Sequence, residues 1–238
     1  MPRQLLAGVT IHARLLREKR FVQRLFDELL DRSDGLYGYW LQVPGVNSSS
    51  NAVTLESVRD FAYPLQERSE RPVVTDRLGG FGLGLLAGGI AGYCVGTGAP
   101  EFVSFPPVTY RARDADASEG FAFVSYNQVL LRNFQLRGTR ARKGLLAAHR
   151  YPCSGCGHHD PETPPRNNRE KKLHGFSWHR EQALRSSAGA PAQTGAQFRR
   201  MVAVASESSR VINDPATPFY AAMLATLPPE LAARTGTD

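Results

Sequence analysis

The chain has 238 residues, of which 42% are hydrophobic and 21% charged, enough apolar material to bury a core. Its formal net charge of +7 favours polyanionic partners such as nucleic acid, while charges throughout "MPRQLLAGVTIHARLLREKR" exclude a secretory signal. Three cysteines, two of them in one C-x-x-C, do not make a secreted disulfide framework, so a cytoplasmic location is the default expectation.

In chain order, residues 13–32 place Leu15, Val22, Leu25, Phe26, Leu29 and Leu30 on one stripe with charges opposite. That period predicts a helix ended by Gly35. "LYGYWLQV" (36–43), stopped by Pro44-Gly45, reads as a buried strand, and "PGVNSSSNAVT" as a polar loop. Residues 55–68 read as a helix capped by Thr54, with a kink or end at Pro64. A strand over 72–77, a short helix in "GFGLGLLAGGI" and a third strand in "AGYCVGTG" follow.

From Leu78 to Pro100 there is no charge, a length that could span a bilayer. Glycine holds nine of the twenty positions from Gly79 to Gly98, however, and contributes little apolar surface. Glycine-rich turns between buried elements explain these residues better than a membrane span.

Strand and helix alternate at intervals typical of parallel βαβ units. The expected architecture is α/β: a partial or truncated βα (TIM-like) barrel over residues 1–135, with an open doubly wound sheet second. Only about 135 residues carry the rhythm, against about 250 in a complete barrel. A partner chain or second copy could complete it. "GFAFVSYNQVLLRNFQL" adds β-prone sequence, residues 136–185 form a basic Cys/His-rich segment, and residues 186–238 hold C-terminal helices and a tail. Within that stretch, "FSWHREQALRSS" and "AQFRRMVAVASESSRVIN" read as helices split by a flexible "AGAPAQTG".

The strongest chemical signal is "HRYPCSGCGHH" (149–159). Five of the six histidines lie between positions 149 and 179. Cys153 and Cys156 can converge on one metal from a tight turn, and zinc then needs two more nitrogen or sulfur ligands. The candidates are His158, His159, His174 and His179; the first two follow Cys156 so closely that sharing the ion without strain is harder, and His174 and His179 are better placed, giving C-x2-C-x17-H-x4-H. A closed structural site is expected rather than a catalytic one. The alternatives are ordinary reduced thiols, or a thioredoxin-like pair that lacks its usual place at a helix start. Around this cluster, residues 132–172 carry ten Lys/Arg, including Arg140, Arg142 and Lys143, against three acids, a net +7. That stretch is either a solvated basic loop or a nucleic-acid contact.

The run "Y-P-C-S-G-C" with the following "KLHGFSWHREQAL" resembles the zinc segment of tRNA-guanine transglycosylases, in which C-x-C-x-x-C precedes a distant helical histidine. Cys153 and Cys156 match the second and third cysteines and His179 the histidine; Tyr151 stands at the first cysteine, a place His174 would have to fill. "GGIAGYCVGTGAPE" (88–101) loosely resembles that family's glycine turn, and "DRLGGFG" (76–82) its D-S-G-G-F-Q, although later in the chain. The resemblance implies that Asp114 or Asp116 is the nucleophile forming a covalent nucleoside intermediate. It also implies that backbone around Gly96 and Gly98 contacts the base or phosphate, and that the basic stretch holds the polynucleotide. Without it, the two aspartates solvate a turn, the glycines serve βα turns, and the chain is a non-catalytic, zinc-stabilised nucleic-acid-binding protein.

Overall fold

The computed structural model describes residues 5–95, 102–103, 124–127, 129–135 and 168–227. Four strands, β1 (Leu6–Thr10), β2 (Gly38–Gln42), β3 (Val73–Asp76) and β4 (Gly92–Cys94), form one parallel sheet in the order of the chain. Helices α1 (Lys19–Asp31), α2 (Ala52–Ser69) and α3 (Gly80–Ala87) connect them. The α/β class and parallel strands are therefore as the alternation implied, with one strand more: β1 went unread because only five residues at the chain start carry it.

The first helix is shorter than its periodicity suggests. Leu15–Arg17 make a separate 3-10 turn, and Glu18 is extended before α1 begins at Lys19. The apolar stripe still faces inward. Phe26 is buried and packs edge-on against Phe61 of α2, with ring centroids 5.0 Å apart.

α2 starts three residues earlier than expected, and its cap is Asn51, whose side-chain oxygen accepts from the Thr54 amide at 3.0 Å. An Asx side chain at this position satisfies an otherwise orphaned helix donor. Pro64 neither ends nor divides the helix, which runs on to Ser69. The loss of one hydrogen bond there is tolerated because Phe61, Ala62 and Leu65 are fully buried around it.

Within the uncharged glycine-rich stretch, Gly80–Ala87 fold as α3, buried on all sides, and Gly92–Cys94 as β4. Gly84 is required for close packing: a Cβ there would lie 2.7 Å from the Phe198 ring. No helix among the described residues is long and apolar enough to cross a membrane.

An antiparallel hairpin, β5 (Val124–Asn127) with β6 (Arg132–Gln135), packs against α4 (Asn168–Ala188), the first of three C-terminal helices with α5 (Pro191–Val211) and α6 (Thr217–Thr226). The break between α4 and α5 is only Gly189-Ala190, and Pro191 opens α5, so most of "AGAPAQTG" is helical rather than flexible. Proline suits the first helical turn, where its missing N–H has no partner to lose. α6, which the sequence reading passed over, lies against α2 and α5. Its C-terminal carbonyls accept from two arginines: Arg59 donates to Thr226 O at 2.6 Å and Arg199 to Leu224 O at 2.8 Å. Cations there oppose the partial negative charge of the helix end. One buried cluster runs from Val9 to Leu227 and joins sheet, hairpin and helices.

Candidate functional site

Successive strand residues point to opposite faces, so the register decides which side chains meet. Val9, Tyr39, Leu41, Val73, Thr75 and Tyr93 take the face covered by helices. The Tyr39 hydroxyl reaches the Leu29 carbonyl of α1 at 2.8 Å, and Gly82 of α3 lies over Thr75 and Tyr93. The opposite face carries two rows. Gly8, Trp40, Val74 and Gly92 are in register across the sheet, and one step toward the carboxyl ends so are Thr10, Gln42, Asp76 and Cys94.

This second row is hydrogen-bonded in one direction. The Thr10 hydroxyl donates to Gln42 Oε1 at 3.1 Å, and Gln42 Nε2 donates to Asp76 Oδ2 at 2.7 Å. An ionised carboxylate only accepts, so the orientation of the Gln42 amide follows from its neighbour. The Arg77 guanidinium closes the other side of Asp76, its Nε and Nη2 each 3.1 Å from Oδ2. Asp76 is 4% exposed, and a buried carboxylate of this kind persists only when paired and hydrogen-bonded.

Local backbone makes the arrangement. β3 ends at Asp76, Arg77 takes a left-handed conformation (φ 49°), and its amide donates to the Cys94 carbonyl at 2.9 Å. The turn returns through Gly79 (φ 59°) into α3. Cys94, last in the row, has its thiol pushed above the ordinary range by burial and next by the Asp76 charge, with Arg77 opposing. It is a protonated thiol at neutral pH and a poor nucleophile.

A second cluster lies on the helix face. His179 of α4 is half-buried among aromatic rings, with centroids 4.4 Å from Tyr126, 5.0 Å from Trp178 and 5.9 Å from Tyr93. Its Nδ1 is 2.9 Å from the Tyr93 hydroxyl. Desolvation lowers its pKa to about 4, so the imidazole is neutral near pH 7.

Of the residues singled out in the sequence, Gly96, Gly98, Asp114, Asp116, Arg140, Arg142, Lys143, Cys153 and Cys156 lie outside the described residues. His174 and His179 are both on α4. Five positions apart in an unbroken helix, their side chains leave the axis about 140° apart, so one ion does not reach both without distorting the helix. Among the described residues no group of three or more His, Cys, Asp and Glu is placed to hold a metal. The polar row was missed as a unit, although a signal existed: β1, β2 and β3 each close an apolar stretch on a polar residue.

These features define a mixed α/β protein whose polar residues converge at the carboxyl ends of parallel strands, where open α/β folds place their ligands. Compared with protein-family models, curated proteins and solved structures, the chain matches none.

Proposed function

We propose that the chain is a transglycosylase-like βα protein that binds nucleic acid and exchanges a base at the carboxyl end of its sheet. The observation that carries this reading is the directed chain Thr10–Gln42–Asp76–Arg77, a set of fixed polar groups at the strand ends. Four parallel strands in sequential order also suit a partial βα barrel, in which catalytic groups sit at that end. In the proposed reaction a carboxylate, Asp114 or Asp116, attacks the ribose carbon bearing the base. The old base leaves with the bonding electron pair and a proton, and the incoming base then displaces the carboxylate. The basic stretch with Arg140, Arg142 and Lys143 holds the polynucleotide backbone, and Gly96 and Gly98 allow close approach of the base.

Zinc belongs to the same proposal, bound through Cys153 and Cys156 with one of the α4 histidines rather than both. His179 fits that role through Nε2 alone, because Nδ1 is engaged by Tyr93. Such a site organises the basic segment and takes no part in the exchange. Its fourth ligand comes from the same stretch of the chain.

The test is incorporation of radiolabelled free bases into tRNA and duplex DNA. Retention of label that is lost in Asp114→Asn, Asp116→Asn or both supports base exchange. Salt-sensitive binding without incorporation leaves the non-catalytic nucleic-acid-binding protein. Absence of binding at low salt removes both readings.

A further inference from the structure

Beside the hydrogen-bonded row lies one that chemistry has not yet used. Trp40 is half-buried on the same face as Gln42, two residues before it on β2. Its register partner on β1 is Gly8, which is exposed, and a Cβ built on Gly8 meets none of the described residues within 4 Å. Neighbouring strands are about 4.8 Å apart, so a flat ring standing over Gly8 would lie against the indole. Along the strand the next row is about 6.6 Å away, from a rise of about 3.3 Å per residue, which brings the ring's far edge to Thr10 and Gln42.

The hydrogen-bond count at Gln42 says what that edge must carry. Among the described residues Oε1 accepts once, from Thr10, and Nε2 donates once, to Asp76. An amide has two acceptor sites and two hydrogens, so one of each remains. Asp76, held by Arg77, keeps the amide from turning over. The amide thus offers a fixed donor and a fixed acceptor side by side, the arrangement that pairs with the edge of a nucleobase.

We propose that Trp40, Gln42 and the open position at Gly8 form a receiving site for a planar heteroaromatic ring whose edge pairs one N–H donor with one acceptor. Trp40 supplies the stacking face, Gln42 reads the edge, Thr10 and Asp76 are positioning residues, and Gly8 provides the space. The inference rests on the reading that the carboxyl end of the sheet is the functional end, and it adds which residues receive the ring and read its edge.

The experiment follows indole emission while free adenine, guanine, cytosine or uracil is added to the full-length protein, with caffeine as a flat ring that has no N–H donor. The expected result is saturable quenching by at least one base, and at least tenfold weaker response to caffeine. Trp40→Phe should keep binding, measured by calorimetry, but lose the signal, since Trp178 is only 2% exposed. Gly8→Val should fold, because no described residue comes within 4 Å of the added Cβ, and should weaken binding at least tenfold. Gln42→Ala should do the same. No saturable response to any base, or full affinity in folded Gly8→Val, overturns the proposal. Label incorporation on the same preparation separates the two claims: bases that bind without being incorporated remove base exchange and leave this site standing. Incorporation indifferent to Gly8 and Gln42 removes this site alone.

Discussion

The Nδ1 of His179 and the hydroxyl of Tyr93 lie 2.9 Å apart, although 86 residues separate them in the chain. The contact joins α4 to the last strand of the parallel sheet, and so ties the C-terminal helices to the βα half. Its histidine is neutral because burial disfavours the imidazolium.

That burial gives the fold an acid sensitivity. The unfolded histidine has its ordinary value of 6.5 and the folded one about 4, so the unfolded chain binds the proton first as pH falls. Stability from this group is complete above pH 6.5 and declines as pH drops toward 4, by at most about 3 kcal/mol. Urea unfolding at pH 7 and pH 4 should show that loss, and His179→Phe should lessen it. An unchanged pH slope in a folded His179→Phe protein would assign the acid sensitivity elsewhere.

Next to Tyr93 on β4, the Cys94 thiol feels Asp76 and Arg77 in opposite senses. Asp76→Asn removes the charge that raises its pKa and leaves the one that lowers it. Alkylation at Cys94 by iodoacetamide at pH 8, read by peptide mass, should therefore become several-fold faster. Arg77→Ala should make it slower.

Two glycines should respond oppositely to a new side chain. Gly84→Ala drives a methyl to 2.7 Å from the Phe198 ring and 3.0 Å from Leu227, an overpacking worth about 1–3 kcal/mol of lost stability. In Gly8→Ala the new methyl meets no described residue within 4 Å, and relieving glycine's entropy in a strand should be neutral or stabilising by about 0.5–1 kcal/mol. Thermal unfolding of the two variants side by side checks the difference in sign.

Arg132 of the hairpin holds Asp214, whose side chain is 2% exposed, at 2.9 Å. Asp214 Oδ1 also accepts from the Ala216 amide at 2.8 Å, just before α6 begins. Arg132→Ala leaves a buried carboxylate without its cation and should cost about 3–5 kcal/mol. Arg132→Lys should recover part of that in chemical denaturation.

Much of the secondary structure is legible one segment at a time. The apolar blocks ended by Pro44-Gly45 or by glycines became β2, β3 and β4, and the stripe from Val22 to Leu30 became α1. Where the reading failed, a longer-range term decided. Pro64 sits inside α2 because the packing of Phe61 and Leu65 outweighs one missing hydrogen bond, and β1 exists only because β2 is there to pair with it.

The sequence by itself determined the α/β class, the parallel strands and the clustering of cysteine, histidine and positive charge, since periodicity, turn residues and composition are local properties. Only the tertiary structure decided that Thr10, Gln42, Asp76 and Cys94 share one row, with Trp40 and Gly8 in the next. Register between strands is set by contacts some thirty residues apart, and a slip of one residue would turn every one of these side chains to the other face.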